Sequence, residues 1–208
     1  MPIIRIIKPN DNTIVGIWKI TETLDNLCKS VSLSSTSRKL LKNRKSSIHK
    51  LQFLSVRAIL LELGYADDNL SYQDNVPTLD DSKKISISHS NLFSCVIISD
   101  LKVGIDVQEI NHKINTIAKK FIGYETSYLD LDDFKSMTII WNIKESIYKI
   151  ANINGLDYKT HSLVVPFNLS DNFTYSWLIY KNLKERYASY FFTIENYSFA
   201  YLIHTNDE

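Results

Sequence analysis

Two short runs in this sequence hold residue types that together could grip a phosphorylated substrate through a metal. The first is Gly104-Ile105-Asp106-Val107-Gln108, where an aspartate sits between two β-branched apolar residues. A charge in such a setting must be paired or bound to a metal. In a strand alternate residues share a face, so Gly104, Asp106 and Gln108 point one way and Ile105 and Val107 fill the core on the other. The second run is Trp141-Asn142-Ile143-Lys144-Glu145-Ser146-Ile147-Tyr148-Lys149. On a helix, residues four apart are neighbours, which puts Trp141, Glu145 and Lys149 in one column. If that column faces the Asp106 strand, two carboxylates converge with an ammonium one turn away. Magnesium favours hard oxygen ligands from one or two carboxylates, with water and substrate phosphate completing its octahedron. Each piece alone also has a plainer reading. Glu145 and Lys149 form the common surface ion pair of helices, and Asp106 could be a strand-end carboxylate accepting backbone N–H groups.

Two further groups could meet phosphate. His89, between Ser88 and Ser90, ends an apolar run; a satisfied strand-end histidine is the alternative. Arg38, Lys39, Lys42, Arg44, Lys45, His49, Lys50 and Arg57 form a basic segment, most of which reads as a solvated helix face. Arg57 differs, because it lies in the apolar stretch 51–63 and needs a partner if buried; a phosphate is one such partner.

The surrounding pattern supplies elements to hold these groups. β-Branched runs at 3–7 and 14–20 flank the turn-rich Lys8 to Asn12, which predicts a hairpin with a loop longer than the minimum. Thr21 or Thr23 caps a short helix reaching about Val31. A helix is expected over 38–63, broken around Ser46 and Ser47 and stopped by Gly64. Residues 65–84 read as a loop, followed by strands at 85–88, 93–99 and 102–108. Short helices are expected at 114–122 and 125–131, and a second long one over 134–151 with Phe134, Met137, Ile140, Trp141 and Ile147 or Tyr148 inward. Aromatic-rich strands near 163–165, 173–180, 187–194 and 198–204 complete the chain. Strands arrive in runs rather than in alternation with helices, which is an α+β pattern. The two halves share a similar plan, dividing near Leu101.

The bulk figures set bounds. At 208 residues there is ample material for a core, and 44% hydrophobic with 23% charged residues is ordinary for a soluble globular protein. The net charge of +1 gives no global field toward nucleic acid or a membrane surface. No apolar run reaches transmembrane length, and residues 1–9 lack the apolar core of a secretory signal. Cys28 and Cys95 are far apart without metal-like spacing, which suits a reducing cytoplasm.

A serine-histidine strand end, a G-I-D-V strand and a W-x-x-K-E-x-x-x-K helix, in that order, resemble the 4′-phosphopantetheinyl transferase superfamily. The length suits its larger, Sfp-like branch, and the match runs from about Ser37 onward. The resemblance implies two similar α/β halves in a pseudo-twofold arrangement, each a long helix on a small, mostly antiparallel sheet. Residues 1–100 would carry the coenzyme A phosphate contacts, residues 101–208 the metal and catalytic residues, with the active site in the cleft between them. Such enzymes move the phosphopantetheine arm of coenzyme A to a serine of an acyl or peptidyl carrier protein. By this resemblance Asp106 and Glu145 hold Mg²⁺, with Gln108 and Glu125 beside it. Glu145 takes the serine's proton, and Lys149 offsets pyrophosphate charge. Ser88, His89 and Arg57 contact the coenzyme, His89 at its 3′-phosphate. The implied protein is a cytoplasmic monomer with no nucleic-acid or membrane partner. Two positions depart from the family. Gln108 stands where many relatives have glutamate, and Val76 where they have a coenzyme-binding lysine, for which Lys83 or Lys84 could substitute. A relative that only binds coenzyme A or a carrier protein, and a metal-dependent phosphohydrolase, are the alternatives.

Overall fold

β1 (Ile3–Asn10) and β2 (Thr13–Lys19) pair antiparallel, with Asn10 opposite Thr13, in the computed structural model, which describes residues 3–205. The loop is shorter than its composition suggests, only Asp11 and Asn12, because a register irregularity between Ile7 and Asn10 accommodates Pro9 on the edge strand. Helix α1 (Leu24–Ser30) starts at Thr23, whose side chain accepts the Asn26 N–H. The expected break in the next helix is complete: α2 (Ser35–Asn43) and α3 (Ser47–Glu62) are separate. Gly64, at φ +89°, provides the left-handed residue that ends α3.

Residues 65–84 are not a loop. A 3₁₀ turn at Asp67–Asn69 leads into a hairpin of β3 (Leu70–Gln73) and β4 (Val76–Leu79). Asp74 and Asn75 sit at φ 48° and 67°, the paired left-handed residues that a two-residue hairpin turn requires. β5 (Lys84–Ser90) and β6 (Phe93–Ser99) follow, and the first sheet runs β1-β2-β6-β5, antiparallel throughout. Helix α3 lies on one face of it. Leu54, Val56, Ile59 and Leu60 meet Trp18, Ile85, Val96 and Ile98 in the core there.

The chain divides between Leu101 and Lys102 into two compact units. The second contains β7 (Val103–Glu109), α4 (Ile114–Phe121), α5 (Phe134–Ala151), β8 (Ser162–Val164), β9 (Phe173–Tyr180), β10 (Leu183–Ile194) and β11 (Tyr197–His204). Its antiparallel sheet runs β7-β11-β10-β9-β8. The helix expected at 125–131 is only a 3₁₀ turn, Tyr124–Ser127. The acids that follow serve turns and caps instead: Asp130 accepts the Asp132 N–H, and Asp133 caps α5 by accepting the Ser136 N–H. The long helix ends at Asn152, left-handed at φ 46°. The fold is thus α+β. No helix among the described residues is long and apolar enough to cross a membrane.

The second core shows how the two faces of β7 are used. Ile140, Ile143 and Ile147 of α5 pack with Leu178, Tyr187, Phe191, Ala200 and Leu202. Ala200 and Leu202 are the cross-strand partners of Asp106 and Gly104, so the Gly104-Asp106-Gln108 face of β7 turns toward α5. Ile105 and Val107, on the other face, are also buried. Gly104 makes this possible, since a Cβ there would lie 2.4 Å from the Ser146 carbonyl oxygen. Gly104→Ala is expected to cost about 2–3 kcal/mol, because two backbone elements must part. A urea midpoint unchanged from wild type would show that helix and strand are not held this closely.

Candidate functional site

The approach of α5 to β7 decides which side chains meet. Lys149 Nζ donates to Asp106 Oδ1 and to the Ile105 carbonyl, each at 2.8 Å, while Gln108 Nε2 donates to Asp106 Oδ2 at 3.1 Å. Asp106 is 2% exposed, so these donors are what keep its charge tolerable in the interior. The helix's Lys149 thus reaches across to the strand rather than serving as a surface ion pair along α5. Glu145 shares this setting. Burial pushes its carboxyl above the usual carboxylate range, and the charge of Asp106 adds to the rise; the charge of Lys149 and the nearby Tyr158 phenol act the other way.

Two carboxylates that repel each other in a partly desolvated place are a suitable seat for a hard divalent cation. Two carboxylates are the donor type that Mg²⁺ takes, with water and substrate oxygens completing its shell. Among the described residues no group of three or more His, Cys, Asp or Glu is placed to hold a metal. Gln108 turns its amide N–H₂ to Asp106, so in this arrangement it orients that carboxylate.

Glu125 belongs to another network, which corrects its expected place beside the metal. It is fully buried and pairs with Lys144 Nζ at 2.9 Å, and its two oxygens also accept the Val164 and Gly123 N–H groups at 3.0 and 3.1 Å. Lys144 is likewise fully buried and donates to the carbonyls of Phe121, Tyr158 and Ser162 at 2.7, 3.1 and 2.9 Å. Burial pulls its ammonium below the usual lysine range, against the opposing charge of Glu125. Sequence reasoning overlooked Lys144. The available signal was its position in the inner stripe between Ile140 and Ile147.

In the first unit a cavity of about 290 Å³ is lined by Arg44, His49, Phe53, Arg57, Tyr72 and His89, among others. His49, Phe53 and Arg57 are four residues apart and share one face of α3, and the guanidinium carbon of Arg57 lies 3.5 Å from the Phe53 ring centroid. Arg44, from the break between α2 and α3, lies 4.2 Å from the same ring. Burial lowers its pKa, and the charge of Arg57 lowers it further. An anion in this cavity would relieve both effects.

Arg57 does not rely on a phosphate for its partner. Its Nε meets Asp67 Oδ1 at 3.2 Å, with both side chains 4% exposed. Burial alone would push the Asp67 carboxyl up, but donors from Ser34 and Ser37 and the charge of Arg57 bring it below the usual range. Asp67 therefore stays charged and anchors Arg57 at the cavity wall. His89 and Ile87 line the cavity from β5. Ser88 alternates to the opposite strand face, is buried, and is not among the cavity's described lining residues. Arg44 and His49 were visible only as part of the basic segment; Tyr72 carried no signal, because its hairpin was not foreseen. Neither a protein-family model nor any curated protein matches the chain.

Proposed function

We propose that this protein is a Mg²⁺-dependent phosphopantetheinyl transferase that moves the 4′-phosphopantetheine arm of coenzyme A to a serine of an acyl or peptidyl carrier protein. The observation that carries this reading is the meeting of Asp106, Glu145 and Lys149, from strand and helix, in one half-buried cluster. The basic cavity of the first unit, lined by Arg44 and Arg57, supports it. Each unit packs a long helix on an antiparallel sheet, which supports the reading of two similar halves.

In this reading Asp106 and Glu145 hold Mg²⁺, which when bound neutralises charge on the coenzyme's pyrophosphate. Glu145 accepts the proton of the carrier serine, directly or through water. The serine oxygen forms its bond to the phosphorus that bears the pantetheine arm. The pyrophosphate P–O bond breaks, and adenosine 3′,5′-bisphosphate leaves with the electron pair. Lys149, already directed at Asp106, offsets the charge gathering on the leaving group. Positioning and electrostatics supply the catalysis. The cavity with Arg44, Arg57 and His89 takes the 3′-phosphate.

Incubation with coenzyme A, Mg²⁺ and an apo carrier protein, followed by intact mass spectrometry, tests the proposal. A transferase adds the arm to the carrier, a hydrolase consumes coenzyme A without doing so, and a binder does neither. Either of the last two results overturns the reading. For the cavity, Arg44→Ala and His89→Ala are each expected to raise KM for coenzyme A about tenfold or more, the worth of one charge-assisted hydrogen bond. With 3′-dephospho-coenzyme A the same variants should match wild type. Equal losses on both substrates would remove the 3′-phosphate from this cavity.

A further inference from the structure

Strand β9 reverses the polarity expected of a sheet with a core on one side. Thr174 and Ser176 share the inner face with Leu178, which packs in the core under α5. Their hydroxyls are satisfied there: Thr174 Oγ1 donates to the Val165 carbonyl at 2.9 Å, and Ser176 shares a hydrogen bond with Ser189 at 2.8 Å. Phe173, Tyr175, Trp177 and Ile179 alternate with them and stand on the outer face. An antiparallel sheet covered on one side ordinarily turns polar residues outward. Here Tyr175 and Ile179 are 40% and 43% exposed. Single exposed apolar residues are ordinary, but a contiguous row of them marks a docking surface.

Strand β10 adds charge to the same face. By register Arg186 lies opposite Trp177, and Lys184 opposite Ile179. Lys184 Nζ is 4.9 Å from the Trp177 ring centroid, and the Arg186 guanidinium carbon is 5.2 Å from that of Tyr175. No position of β8, β9 or β10 on this face holds a carboxylate. With cations already over its rings, the face suits an apolar side chain flanked by acids better than a stacking base. The chain carries such a segment itself. Leu131 is 52% exposed, between exposed Asp130 and Asp132. Tyr128, at the base of this segment, donates to the Val164 carbonyl at 2.8 Å, so the segment starts beside β8, which pairs with β9.

We propose that this face docks a second copy of the chain: Leu131 of the other copy packs on Tyr175 and Ile179, and its Asp130 and Asp132 meet Lys184 and Arg186. Because segment and face both adjoin β8, two copies can exchange the contact about a twofold axis, which closes the assembly as a dimer. This departs from the monomer that the resemblance implies. The face lies opposite α5, so the pairing does not use Asp106 or Glu145 and stands apart from the transferase reading.

Sedimentation equilibrium of the full chain tests the pairing. The weight-average mass is expected to rise toward twice that of the monomer as protein concentration increases, and to fall back at high salt, where screening weakens the charge contacts. Lys184→Glu and Asp132→Lys, both at exposed positions, should each raise the dimer dissociation constant about tenfold or more, because each reverses one charge in both copies of the contact. An equimolar mixture of the two variants should pair as wild type does, since each altered charge then meets its opposite. That recovery also requires both variants to be folded. A wild-type protein that stays monomeric, single variants that pair as well as wild type, or a mixture that stays monomeric overturns the proposal, and the face then belongs to a different partner.

Discussion

Glu145→Gln is expected to lower the rate of carrier modification by roughly two to four decades, the range over which a positioned general base contributes. Glutamine keeps the shape of the side chain. It cannot take a proton from the serine, and it brings no charge to a cation shared with Asp106. Loss of the fold would not explain such a result, and the sign of the electrostatics shows why. Burial and Asp106 raise the Glu145 pKa in the folded protein, so the folded state binds this proton more tightly than the unfolded chain does. Its contribution to stability therefore grows as pH falls through that raised value, and at neutral pH its charge opposes folding. Removing the charge should leave the variant at least as stable as wild type in urea near pH 7. Near-normal modification by a folded Glu145→Gln would take Glu145 out of the mechanism.

Lys144→Met should destabilise the protein by about 3–5 kcal/mol, the usual cost of breaking a buried ion pair from one side. Methionine matches the stem of lysine and leaves no large void. The penalty arises because Glu125, fully buried, would lose its counter-ion, and three backbone carbonyls would lose their donor. Glu125→Gln in the Lys144→Met background is expected to restore only part of the loss. It removes the uncompensated charge but supplies no donor for most of those carbonyls. Urea unfolding of the two variants measures both terms. A Lys144→Met protein within about 1 kcal/mol of wild type would mean that water or a rearranged loop already solvates Glu125.

Part of this organisation was legible without coordinates. The span of α5, Phe134–Ala151, follows from its apolar period and its Asn152 stop, and the strands rich in Tyr, Phe and Trp were found within a few residues. Local signals fail where short elements depend on distant partners. The β3–β4 hairpin has four-residue strands and a proline, too little for a period to register, and only Asp74-Asn75 marks its turn. The turn at Tyr124–Ser127 reads as a helix in sequence, because nothing local says that Glu125 will be drawn inward to Lys144.

The sequence by itself determined which residues could carry the chemistry. Residue type fixes that Asp106 and Glu145 are acids and Lys149 a base, and the strand and helix periods fix which neighbours share a face. Only the tertiary structure decided what each charge meets. Arg57 looked in need of a phosphate and is held by Asp67; Glu125 looked like a metal ligand and neutralises Lys144. Tyr158 had no motif at all and packs on Trp141 and Tyr148 of α5. The reason is physical. The strength of a charge pair depends on distances and burial that arise when distant segments pack, and a period of two or 3.6 residues carries no information about a partner ten, nineteen or forty residues away.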